Sequence, residues 1–129
     1  MKKSSILVVL LSFIVLLSAV AFAGDMPKFA EHQKITLDRP MVLVNSELPA
    51  GTYTIEHQMQ GAEHFMIFHN TDPYKKMADV KVKCNLVALN GKAAHTERHY
   101  MTNSKNQSVI TELIFQGDEA KHVFETPSL

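Results

Sequence analysis

The sequence predicts an all-β protein, an antiparallel β-sandwich or small barrel of about eight strands. After Gln33 the chain consists of short runs rich in β-branched and aromatic residues. Turn residues separate these runs about every 8 to 12 positions, the spacing of strands in small antiparallel folds. No segment shows a sustained apolar period of about 3.6 residues, so we expect helices to be minor.

The first 23 residues have the pattern of a secretory signal peptide. Two lysines precede an apolar run over 6–20, and Ala21-Phe22-Ala23 offers small residues at the cleavage positions. The run is also near the minimum length of a membrane span, but no basic stop-transfer cluster follows it. We therefore expect cleavage after Ala23 and a secreted or periplasmic protein.

Cleavage of residues 1–23 would leave 106 of the 129 residues, enough for one modest core. We expect a flexible lead-in over 24–33 and a single β domain over 34–129, with no membrane span after cleavage. This chain has 11 basic and 13 acidic side chains, a net charge of −2 with neutral histidines. Such a balance gives no electrostatic reason to expect nucleic acid as a partner. Cys84 is the sole cysteine, so no intramolecular disulfide can form.

Each strand is predicted from local alternation and from the turn residues around it. Pro40 breaks the first pair of runs because it cannot donate a ladder hydrogen bond. Tyr53 and Ile55 share one side of the third strand, which is typical of a half-buried strand. Asn90-Gly91 is a strong hairpin signal and predicts that the next strand pairs with the one before it. The expected strands cover residues 35–37, 41–44, 52–58, 64–69, 80–88, 92–101, 109–115 and 121–125.

The stretch LPAGTYTI over 48–55 resembles a turn-strand motif of small uncharacterised secreted bacterial β proteins. It is also similar to strand entries in transthyretin-like and carboxypeptidase-regulatory-like modules. The stretch VITELIFQG over 109–117 looks like the C-terminal hairpin of the same bacterial group. The resemblance implies a β fold and export, and it implies no catalytic residues.

One pair of histidines is expected across the hairpin at Gln60-Gly61. If these two residues form the turn, His57 lies opposite His64, with about 5 Å between the Cβ atoms. Two imidazoles at that distance can share a metal ion. The alternative is an exposed hairpin end without a ligand, since a one-residue change of register separates the pair.

A second set is expected across the turn at Asn90-Gly91. A two-residue turn there pairs Cys84 with Glu97, and it brings His95 and His99 onto the same face. A thiolate, two imidazoles and a carboxylate suit zinc or copper. A longer loop would turn both histidines outward, and Cys84 would then be a small buried hydrophobe.

These observations predict an exported, non-enzymatic domain that binds a protein, glycan or surface ligand, or has a structural role, with no cofactor. The alternative is a periplasmic zinc- or copper-binding protein that uses Cys84, His95, His99, His57 and His64. A small enzyme with Cys84 as nucleophile and His95 as base is a third reading. It has the least support, because the chain contains neither a Gly-x-Ser-x-Gly nor a His-Glu-x-x-His motif.

Overall fold

A computed structural model describes residues 27–126, which contain nine β-strands and no helix. The predicted signal peptide over 1–23 lies outside these residues. None of the described residues belongs to a helix long and apolar enough to span a bilayer. The strands are β1 (His32–Leu37), β2 (Met41–Leu43), β3 (Ser46–Leu48), β4 (Gly51–Gln60), β5 (Glu63–Asn70), β6 (Val80–Ala88), β7 (Glu97–Thr102), β8 (Ser108–Ile114) and β9 (Ala120–Val123).

The all-β prediction is confirmed, and the structure adds one strand to the expected eight. The extra strand, β3, lies within residues 45–51, between two of the expected strands. It forms because Leu48 pairs with Met41 on β2, and both side chains are fully buried. The predicted shared face of Tyr53 and Ile55 is also confirmed, and this face is buried, since each residue is only 1% exposed.

The strands form two sheets that share β6. The first sheet has the order β1-β4-β5-β6, and the second continues as β6-β9-β8-β2-β3, with β7 on the other edge of β8. All pairs are antiparallel except β2 with β8. The path from β1 to β3 does not close on itself, so the described strands do not form a closed barrel.

The second sheet folds over the first along β6. In a flat sheet, three strand spacings of about 4.8 Å each would separate β4 from β9. The rings of His57 on β4 and His122 on β9 are nevertheless only 4.7 Å apart. This arrangement is possible because β6 has two partners in succession. Its first part, Val80–Cys84, pairs with β5, and its second part, Asn85–Ala88, pairs with β9. One apolar core therefore lies between the two sheets, with large members on both: Tyr53, Met66, Phe68, Leu43, Ile110 and Leu113.

The predicted hairpin between β6 and the following strand is wrong. β9 pairs with Asn85–Ala88 of β6, and the next strand along the chain, β7, pairs with β8 instead. The reason lies in the loop after β6, which hydrogen-bonds to the turn between β8 and β9. The Leu89 N–H donates to the Glu119 carbonyl at 2.8 Å, and the Ala93 N–H donates to the Asp118 carbonyl at 2.9 Å.

The hairpin between β4 and β5 forms, but its turn lies one residue later than expected. Gln60 pairs with Glu63, so Gly61 and Ala62 make the turn, and Gly61 adopts the positive φ of 64° for which glycine is suited. The expected direct pairing of His57 with His64 is therefore wrong. His57 faces Met66 instead, which places His64 diagonally beside His57 on the same face of the sheet.

Candidate metal centre

Three histidines, His57, His64 and His122, meet between the two sheets, and we call them the inner histidines. Each continues the buried row of its own strand: His57 follows Ile55, His64 precedes Met66, and His122 follows Ala120 at the period of two that a strand imposes. Their exposed fractions are 9%, 4% and 0%, respectively. Strand geometry thus directs all three imidazoles into the core.

The three imidazole rings of the inner histidines lie against one another. His57 Nδ1 and His64 Nε2 are 3.2 Å apart. The ring centroids are 4.7 to 5.5 Å apart, and the ring planes lie within 11° to 29° of one another. One nitrogen from each ring can be chosen so that all three lie within 4.8 Å of one another. The group is therefore close enough to share one ion.

Cys84 contacts two of the inner histidines. It pairs directly with His64 across β5 and β6, and its Sγ atom is 2.9 Å from His64 Nδ1. The same sulfur lies 3.6 Å from His122 Nδ1. The thiol therefore bridges two imidazoles that belong to different sheets.

Phe29 covers the inner histidines from the segment that precedes β1. Its ring lies 5.0 to 5.8 Å from all three imidazole rings. Backbone contacts hold this segment in place: the Glu119 N–H donates to the Lys28 carbonyl at 2.7 Å, and the Ala30 N–H donates to Asp118 Oδ1 at 3.1 Å. The described part of the expected flexible lead-in is thus anchored to the turn between β8 and β9.

A side-chain amide connects the histidines to a buried carboxylate. Gln33 Oε1 is 2.6 Å from His57 Nε2, and the Gln33 amide nitrogen donates to Asp118. Asp118 is itself 4% exposed. The series of contacts from Asp118 through Gln33 therefore holds the Nε2 atom of His57 in place.

Burial keeps the inner histidines uncharged. Desolvation, with a contribution from the neighbouring imidazoles, lowers the pKa of His57 to about 4 and that of His122 to about 3. Desolvation also lowers the pKa of His64. Burial raises the pKa of the Cys84 thiol to about 12. At neutral pH each imidazole is therefore neutral, the form in which it binds metals.

The Nε2 atom of His122 is buried and has no hydrogen-bond partner among the described residues. Leaving such a group unpaired inside a protein costs about 1–3 kcal/mol. The apolar neighbours explain why nothing pairs with it, because the rings of Phe29 and Phe115 both pack against the His122 ring. A ligand at this position would give the nitrogen a partner.

The structure brings together only some of the predicted site residues. His57, His64 and Cys84 are in contact, whereas His95 lies exposed in the loop before β7. His99 is exposed on β7, where it contacts Glu97 and Glu112. The predicted patch of Cys84, His95, Glu97 and His99 is wrong, because β6 and β7 are not paired.

His122 is the site residue that the sequence prediction missed. A signal for it was present, because His122 lies between Ala120 and Phe124 in the alternating row of the last strand, and all three are buried. A histidine in a buried row indicates either a satisfied core residue or a ligand. What local alternation does not show is that β9 faces β4 and β5.

Comparisons of the chain with protein-family models, with curated proteins and with solved structures found no match. The resemblance of the 48–55 stretch to exported bacterial β modules therefore stays a prediction. The chemistry of the inner histidines is the basis for a functional assignment.

Proposed function

We propose that this protein binds one zinc or copper ion through His57, His64 and His122. Neutral imidazoles are preferred ligands of both metals, and three of them on one centre is an established zinc arrangement. The observation that carries the proposal is the convergence of three buried imidazoles, one of which has an unpartnered nitrogen.

The spacing of one pair of nitrogens, on His57 and His64, supports an ion between them, and the set of three lies within 4.8 Å. Two imidazole nitrogens at about 2.0–2.1 Å from a tetrahedral zinc ion are roughly 3.3 Å apart. His57 Nδ1 and His64 Nε2 already lie 3.2 Å apart. The rings are stacked, so binding requires them to turn about their Cβ–Cγ bonds until the lone pairs converge.

A purely structural role for the inner histidines has an energetic cost. Apolar side chains would fill the same volume without burying polar atoms, and burial of a polar group is unfavourable unless a partner satisfies it. His122 Nε2 lacks such a partner in the described part of the chain. A metal ion would satisfy this nitrogen, which is why we prefer metal binding to a core-filling role.

We further propose that the protein acts in the periplasm or outside the cell and performs no catalysis. The leader pattern supports export. Cys84 is 3% exposed and its thiol pKa is raised to about 12, which does not favour a nucleophilic thiolate. Binding of a protein or glycan ligand is the second candidate, with the exposed β-strand edges of the two sheets as its only support.

Metal titration of protein purified without a histidine tag and freed of metal tests this function. We expect one equivalent of zinc or copper per chain, measured by calorimetry and elemental analysis. His57→Gln and His122→Gln should each weaken binding by at least about 100-fold, since each removes a ligand. His95→Gln removes an exposed histidine and is the matched control. A folded wild-type protein that binds neither metal near stoichiometry would refute the proposal.

A further inference from the structure

We infer that the metal ligands are His57 Nδ1, His64 Nε2 and His122 Nε2, and that Cys84 stays outside the coordination sphere and positions two of these rings. This inference rests on the proposed metal binding. With these ligands, the protein fills three coordination positions and leaves the fourth open, whereas ligation by Cys84 as well would fill all four. The hydrogen bonds of each imidazole support the assignment.

The proton position on His57 follows from the amide that it contacts. The Gln33 amide nitrogen donates to the carboxylate of Asp118, so the amide oxygen is the atom that faces His57. An oxygen accepts, and His57 Nε2 must therefore carry the proton. His57 Nδ1 is left with its lone pair directed to His64 Nε2, 3.2 Å away.

The proton position on His64 changes when an ion binds. Without metal, His64 Nε2 donates its proton to His57 Nδ1, and His64 Nδ1 accepts the thiol proton of Cys84. With metal, the imidazole proton of His64 moves from Nε2 to Nδ1, and the Nε2 lone pair binds the ion. The Nδ1–H group then donates to the sulfur, whose own proton turns away. No proton is gained or lost by the pair.

Cys84 lies behind the imidazoles rather than between them. Its sulfur contacts the Nδ1 atom of His64 and the Nδ1 atom of His122, at 2.9 and 3.6 Å. The remaining nitrogen of His122 is the unpartnered Nε2. An ion at the Nε2 atoms of both rings is thus separated from the sulfur by the rings themselves.

In each ring, the nitrogen that is not assigned to the metal has a partner. Gln33 contacts His57 Nε2, and Cys84 contacts the Nδ1 atoms of His64 and His122. Such outer contacts orient metal-bound imidazoles. Three protein ligands leave a fourth tetrahedral position, which in open zinc sites holds water or a small exogenous ligand. We therefore expect the ion to accept a small anion such as azide.

Spectroscopy of the Co²⁺- and Cu²⁺-loaded protein tests the inference. We expect no thiolate-to-metal charge-transfer band, and we expect azide to change the metal absorption spectrum. Such a band that is lost in Cys84→Ser would show direct ligation by sulfur and overturn the inference, as would a spectrum that azide leaves unchanged. Failure of the wild-type protein to bind any of these ions would instead count against the proposed function itself.

Affinity measurements on folded variants supply the second test. Cys84→Ala should bind the metal about 10- to 100-fold more weakly than wild type, the effect of losing an outer contact. Cys84→Ser should recover part of this loss, since a hydroxyl also accepts from an N–H group. Gln33→Ala should weaken binding similarly, and Gln58→Ala, an exposed amide on β4, is its matched control. Wild-type affinity in Cys84→Ala would contradict the positioning role.

Discussion

The inner histidines and the exposed histidines of the same chain have opposite environments. His69 contacts the carboxylate of the exposed Asp79, and His99 contacts the exposed Glu97 and the half-buried Glu112. The inner histidines contact one another, a thiol and an amide. Desolvation disfavours the charged form of a buried imidazole and lowers the pKa of each inner histidine.

Strand β5 shows how small the structural difference is. It contains both His64, which is buried, and His69, which is exposed. The two residues are an odd number of positions apart, so their side chains point to opposite faces of the sheet. The place of a histidine in the alternation of its strand thus decides whether it is buried and can serve as a neutral metal ligand.

The largest expected effect comes from a charge placed among the inner histidines. His122→Lys should lower the free energy of unfolding by more than about 3 kcal/mol, because the ammonium group would be buried without a partner. His122→Leu should cost far less, since it removes a polar atom that has no partner. Urea unfolding of the metal-free proteins measures both, with the exposed His99→Lys as control. A His122→Lys protein as stable as wild type would contradict the proposed difference between the inner and the exposed histidines.

Acid should destabilise the metal-free protein through the inner histidines. An unfolded histidine has a pKa of about 6.5, whereas burial lowers that of folded His57 to about 4. Between these values the unfolded state binds the proton and the folded state does not. The free energy of unfolding should therefore fall as the pH decreases from about 6.5 to 4, by at most about 1.4 kcal/mol per pH unit for each histidine.

Urea unfolding at several pH values, with a chelator present, measures this dependence. His57→Gln should show a shallower fall than wild type, and the exposed His95→Gln should not. Burial raises the pKa of Asp118, so protonation of its carboxyl group offsets part of the loss at the acid end. Identical slopes for His57→Gln and wild type would contradict the assigned cause.

The smallest expected effect concerns an exposed histidine. His69→Asn removes the contact with Asp79, in which both side chains are more than half exposed. Surface contacts of this kind contribute about 0–1 kcal/mol, and salt screens them. We expect a loss of stability within that range, smaller at high salt. A loss larger than the one caused by His122→Leu would reverse the proposed order of the two groups.

Local sequence predicted the strands well because alternation is a property of neighbouring residues. The shared face of Tyr53 and Ile55 and the hairpin between β4 and β5 followed from the same short-range rules. The hairpin signal at Asn90-Gly91 failed because a turn residue reports only its own backbone. It contains no information about β9, the strand that pairs with β6 instead and that begins about 30 residues later in the chain.

The candidate site also combines features that local sequence indicates with others that only the tertiary structure decides. The sequence alone indicated that His57, His64 and Cys84 can bind a metal. Alternation also contains a signal, unused for His122, that all four residues belong to the buried rows seen in the structure. Only the tertiary structure decided that these rows meet, because β6 changes partner at Asn85 and folds the second sheet over the first. Non-local strand pairing depends on the packing of the whole core, and a short window of sequence does not encode it.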